Sequence, residues 1–140
     1  MSKVVSLRFK DAQIERLSRL ARRLSRTPSE TGALLVEEGL RRSEFAMIDF
    51  RDSPAGRQAY VQGSTLAVWE VAEIADAYGG DAERAAAHLE WPIARVRAAL
   101  NYAEAYADEI AVARDDNRAY HEQAVKRMLP EATSFRTRTV

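Results

Sequence analysis

The 140-residue sequence has no cysteine, only two histidines, and no apolar run near the roughly 20 residues a membrane-spanning helix needs. Without cysteine there is no disulfide framework and no thiolate metal site, as suits a reducing compartment. His88 and His121 stand apart, and "HEQAV" has Val125 where an HExxH zinc motif needs its second histidine. No glycine-rich phosphate loop is present. Glu70 with Glu73, and Glu104 with Asp108, are carboxylate pairs without a nucleophile, a common feature of helix surfaces. The expectation is a cytoplasmic protein that is not an enzyme, with no metal, no cofactor and no membrane partner.

Net charge is also missing, but its zero sum conceals a division. Residues 1–28 hold eight Lys and Arg against Asp11 and Glu15, a net +6, whereas residues 46–113 hold five Arg against eleven acids, a net −6. The basic segment suits a polyanion and the acidic one does not. A merely solvated arginine face is the other reading of the first segment.

What the N-terminus does contain is a short alternating stretch, "VVSLRFK". Period 2 puts Val5, Leu7 and Phe9 on one face and Val4, Ser6, Arg8 and Lys10 on the other. No second strand follows for several tens of residues, so the cheapest partner is the same strand of another chain, giving a two-stranded antiparallel ribbon. Asp11 is the expected N-cap of a helix burying Ile14, Leu17, Ala21 and Leu24. "TPSE" then reads as a capping box between Thr27 and Glu30, with Pro28 opening a helix to about Arg42 that buries Leu34, Leu35 and Leu40. Some 45 residues hold too small a core for a stable monomer, which again points to a dimer.

"VVSLRFKDAQIERLSRLARRLSRTPSETGALLVEEGL" resembles the ribbon-helix-helix (CopG/Arc-like) family of transcriptional repressors. The resemblance implies an intertwined homodimer or higher homo-oligomer whose ribbon enters the major groove of double-stranded operator DNA. The implied DNA-binding residues are Val4, Ser6, Arg8 and Lys10 on the ribbon, with Thr27 and Ser29 at a helix N-terminus facing phosphate. The implied dimer core is Val5, Leu7, Phe9, Ile14, Leu17, Leu34 and Leu35. Val4 stands where the family has a polar residue, and Ser25 where it has a turn glycine.

Residues 46–64 read as a loose hairpin or turn-rich β-arm, punctuated by Pro54, Gly56 and Gly63. Helices are expected over 65–78 (apolar face Val68, Val71, Ala72, Ala75), over 82–89 behind an Asp81 cap, and from Pro92 onward, burying Ile93, Val96, Leu100 and Tyr102 or Ala103. "ARVRAALNYA" and the order of elements around it are similar to a small helix-turn-helix domain of VapB-type bacterial antitoxins, although the Arg of that domain's Gly-Thr-Arg motif is missing after Gly63-Ser64-Thr65. The net −6 and a recognition helix offering only Arg95 and Arg97 favour protein binding over DNA for this module. Trp69 and Trp91 read as core or interface anchors.

The fold expected is therefore mainly α: a ribbon-helix-helix over 1–45, a helix-turn-helix-like module over 46–113 preceded by a short β-arm, and a tail over 114–140. A short helix in the tail presents Tyr120, Ala124, Val125 and Met128 before Pro130. The resemblance implies a toxin-binding tail, with Tyr120, Met128, Phe135, Arg136 and Arg138 as contacts to a cognate PIN-like ribonuclease. The functional expectation is a DNA-binding antitoxin of a type II toxin-antitoxin system that represses its own operon. Alternatives are a stand-alone ribbon-helix-helix repressor and a dimeric adaptor that binds no DNA.

Overall fold

The computed structural model describes residues 1–131, which form six helices and one two-stranded antiparallel sheet. The chain divides into two compact units, Met1–Glu44 and Phe45–Val140.

In the first unit α1 (Asp11–Arg23) packs on α2 (Pro28–Glu44). Asp11 is the first helical residue and not the expected cap; the cap position is Lys10, whose backbone N–H donates to Gln13 Oε1 at 2.9 Å. At the other end Ser25 takes φ +53°, and the N–H groups of Ser25 and Arg26 donate to Arg22 O and Ala21 O. This is a Schellman closure with serine in the left-handed position that glycine fills most cheaply. The capping box is present in both directions: Glu30 N–H donates to Thr27 Oγ1 at 3.1 Å, and Thr27 N–H donates to Glu30 Oε2 at 3.2 Å. Helix α2 runs two residues past the expected Arg42, and its apolar residues are less covered than expected. Leu34 and Leu35 are half-buried and Leu40 is 52% exposed, because only one helix lies against them within the unit.

The second unit starts with β1 (Ile48–Ser53) and β2 (Gly56–Val61), in register Ile48↔Val61 to Ser53↔Gly56. The arm is thus a regular hairpin, with inward Ile48, Phe50, Ala59 and Val61 buried. Helices α3 (Val68–Ala77) and α5 (Ile93–Ala105) pack on it, and α4 (Ala82–Leu89) packs on those two helices within the same core. Helix α3 begins three residues later than expected, because residues 61–67 are tied into a turn by Val61 N–H to Leu66 O and a Tyr60↔Ala67 bridge. Its expected face, Val68, Val71, Ala72 and Ala75, is buried, and Gly79 and Gly80, both at positive φ, end it. Asp81 caps α4 by accepting from Glu83 N–H and Arg84 N–H. Pro92 sits at the cap position of α5, not within it, as its ψ of 138° is non-helical.

The last part of the chain differs most from expectation. The helix begun at Ile93 breaks at Tyr106 (φ −119°, ψ 46°), and a 22-residue helix α6 (Ala107–Met128) replaces the expected short one. The expected boundary at 114 therefore falls inside α6. The break lets Tyr106 pack on Tyr102 and Phe45, at ring centroid distances of 4.8 and 5.6 Å. It also returns α6 across α3, where Ile110 is buried and Arg114 Nη1 donates to Asp76 Oδ2 at 2.6 Å.

Tyr102 is the largest fully buried side chain, edge-on to Phe45 and Phe50, and its hydroxyl donates to Glu109 Oε2 at 2.9 Å. Tyr102→Ala should destabilise the second unit by about 3–5 kcal/mol. Tyr102→Phe should cost only about 1 kcal/mol, since it keeps the ring and removes one hydrogen bond to an exposed carboxylate. Urea unfolding followed by tryptophan fluorescence measures both, as Trp69 and Trp91 both lie in this unit.

Candidate nucleic-acid and partner surfaces

Residues 1–10 form no regular element in the single chain, and every one of them is exposed. Val5, Leu7 and Phe9 are 79%, 62% and 49% exposed, and Ile14 on α1 is 45% exposed. Leu17 is half-buried, like Leu34 and Leu35. The seven residues expected in a dimer core thus all retain apolar surface within one chain. Ser6, Arg8 and Lys10 are exposed beside them, as is Val4.

At the start of α2 the free donors are fewer than the sequence suggests. Pro28 has no N–H, the N–H groups of Thr27 and Glu30 are used by the capping box, and Thr31 N–H and Oγ1 both donate to Thr27 O. Ser29 alone in that first turn keeps an unpartnered N–H among the described residues, and it is exposed.

The helix-turn-helix of the second unit is α4, the turn Glu90-Trp91-Pro92, and α5. Glu90 takes φ +55°, with Glu90 N–H and Trp91 N–H donating to Ala87 O and Ala86 O, so the turn closes as Schellman geometry does, without glycine. Of the five arginines in 46–113, four are engaged. Arg51 Nη1 donates to Ser64 O at 2.6 Å, Arg57 pairs with Asp52 at 3.2 Å, Arg84 lies over the Tyr78 ring, and Arg95 Nη2 donates to Gln62 O at 2.6 Å while stacking over Trp91. Arg97 is left as the exposed cation of α5, on a helix that also exposes Glu104. Sequence reasoning missed that Arg51 and Arg95 clamp the turn at 62–64 by its carbonyls. The positive φ of Gly63 (+74°), with Arg95 3.1 Å from where a Cβ would lie, is the local trace of that clamp.

A cleft of about 600 Å³ separates the hairpin tip from α6. Trp69 and Glu70 from α3 contribute with Gln58 and Tyr60 from β2, and Asp116, Asn117 and Tyr120 stand on the α6 side. Trp69 Nε1–H donates to Gln58 Oε1 at 3.3 Å, and Glu70 Oε1 accepts from Ala67 N–H. Tyr120 and Met128, two of the expected partner contacts, are 68% and 83% exposed on α6. Phe135, Arg136 and Arg138 lie outside the described residues. Among the described residues no group of three or more His, Asp or Glu is placed to hold a metal ion, and no helix is long and apolar enough to cross a membrane.

Comparisons with family models, curated proteins and solved structures returned no match to this chain.

Gly63→Ala should destabilise the second unit by about 1–2 kcal/mol through its left-handed backbone alone, read as a lower urea midpoint. Ser64→Gly should also lower the midpoint, by about 1–3 kcal/mol, because the Ser64 hydroxyl donates to Val61 O at 2.8 Å and accepts from Leu66 N–H at 3.2 Å within that turn.

Proposed function

We propose that the protein is a dimeric DNA-binding antitoxin of a type II toxin-antitoxin pair, which represses its own operon and neutralises a PIN-like ribonuclease. The observation that carries this reading is the exposed alternation of residues 4–10, apolar at Val5, Leu7 and Phe9 and polar at Ser6, Arg8 and Lys10, on a unit whose only fully buried apolar residue is Ala21. Pairing that strand with its copy removes three apolar side chains from water and satisfies two sets of backbone N–H and C=O groups. It also leaves two Arg8 side chains on one ribbon face, each able to donate two hydrogen bonds to a guanine edge in the major groove. The +6 of residues 1–28 supplies the phosphate attraction, and Ser29 N–H at the start of α2 supplies a phosphate donor.

The second unit acts in assembly and partner binding. Four of its five arginines are held within the fold, and its segment 46–113 carries a net −6, so it offers phosphate little attraction. The toxin-facing region is the C-terminal part of α6 with the residues after it, where Tyr120 and Met128 are exposed and Arg136 and Arg138 follow. An arginine inserted among clustered carboxylates of a nuclease makes charge-assisted, bidentate pairs. No catalysis is assigned to this chain.

Arg8→Ala should weaken binding to the chain's own upstream DNA by about 1–3 kcal/mol and leave the dimer intact. Phe9→Asp should abolish both the dimer and the binding, since it places charge inside the paired face. Titration of the DNA across a salt series, with mass determined by light scattering in the same buffer, separates the two. Equal binding by wild type and Arg8→Ala would overturn base reading by the ribbon, and a monomeric wild type would overturn the dimer.

A further inference from the structure

The outer face of α1 carries more positive charge than its own unit uses. Arg16, Arg19 and Arg23 follow one another at spacings of three and four residues and so form one row along the helix, with Arg22 beside it and Arg26 just past its end. The row lies on the far side from the covered stripe of Leu17, Ala21 and Leu24, and all five arginines are exposed. Among the described residues no side-chain hydrogen bond or ion pair holds any of the five, although Glu15 stands four residues before Arg19, a spacing that suits a pair. Like charges three and four apart on a helix repel, so a bare row weakens α1. The helix dipole favours Arg22 and Arg23 in the last turn, whereas Arg16 and Arg19 stand further in, where its effect has faded. The second unit shows the contrast, since four of the five arginines in 46–113 are engaged within its fold.

We infer that the row Arg16, Arg19 and Arg23 is a phosphate-binding surface, which grips the backbone of duplex DNA without reading its sequence and so extends the contact beyond the base-reading segment at residues 4–10. The inference rests on the operator reading for the choice of duplex DNA as the polyanion. The cations suit phosphate in kind, because residues 11–28 contain five arginines and no lysine. A planar guanidinium fork donates two parallel hydrogen bonds to a phosphate, where an ammonium offers a point charge. They suit it in spacing, as Arg16 to Arg23 covers about 10 Å along the helix axis, the rise of about three phosphates of one DNA strand. The other side of α1 argues against a lipid surface. Ala21 is 1% exposed and Leu17 and Leu24 are half-buried, so the helix has no free apolar face to lay into a membrane as basic amphipathic helices do. Position separates the row from the first contact: α1 begins directly after Lys10, which puts Arg16 and Arg23 about 9 and 20 Å along the helix from that residue. Arg8 then distinguishes bases, and the row supplies affinity that every sequence shares.

The test is the full-length chain with Arg16→Gln, Arg19→Gln and Arg23→Gln, titrated across a salt series with two duplexes of equal length, the chain's own upstream DNA and a scrambled sequence. Circular dichroism and light scattering verify that helix content and mass are kept. The triple variant should bind both duplexes more weakly by the same factor, on the order of 10- to 100-fold, with the slope of log K against log salt shallower by about 2 to 5 for a dimer. Lysine at the same three positions should restore most of the slope. Should the triple variant lose helix content, Arg19→Gln alone carries the test, with a slope shallower by about 1 to 2. An unchanged slope would overturn the inference. Weakening confined to the upstream duplex would make the row a reader of sequence and overturn it as a backbone grip. Duplex binding that is kept, with loss of binding to a single-stranded RNA or to vesicles of anionic phospholipid, would assign the row to another polyanion and equally overturn it. Failure of the operator reading looks different: the two duplexes would bind alike and Arg8→Ala would change neither, while the triple variant would still weaken both and uphold the row.

Discussion

An extended segment cannot satisfy its own backbone, and a unit of forty-four residues with one fully buried apolar side chain cannot hold itself together by burial. These two deficits coincide at residues 4–10 and on the helices that follow, and one event would relieve both. If the strand meets its copy, backbone groups find partners, and Val5, Leu7 and Phe9 gain a cover together with the half-covered leucines of α1 and α2. The polar side of the same strand is then displayed twice, related by two-fold symmetry, as a palindromic duplex would require.

The second unit has the opposite character. It closes a core of its own, in which Tyr102 joins the hairpin, α5 and α6 through its ring and its hydroxyl. Its arginines serve mostly as struts: to carbonyls of the 62–64 turn, to Asp52, to Tyr78 and, from α6, to Asp76. A cation that holds a loop is not available to a phosphate. This division of labour explains how a chain of zero net charge can present one basic surface and one acidic cleft.

Legibility in the sequence followed the reach of the interactions. The capping box at Thr27 and Glu30, the Asp81 cap, the glycine stop after α3 and the apolar face of α3 each depend on residues within one helical turn, and each could be read directly. The break at Tyr106 could not. "NYAEAYADEIAVA" has neither glycine nor proline, and the cause is a ring contact with Phe45, sixty-one positions away. The late start of α3 is similar, as its bonds come from a turn and a β-bridge with no strong local signature. At the candidate surfaces, residue types were legible but their engagement was not: Arg95 looked available until Gln62 O and Trp91 were seen to hold it. The cleft, assembled from three elements far apart in sequence, left no pattern to read.

The central claim is that residues 4–9, which form no regular element in the single chain, become a strand by pairing with their own copy. Amide hydrogen exchange of those residues, measured across a range of protein concentrations, tests it most directly. The account predicts protection in alternate amides that grows with concentration and vanishes on dilution, while amides in the core of the second unit stay protected throughout. Exchange at unprotected rates at every concentration, in a chain whose second unit remains protected, would contradict it.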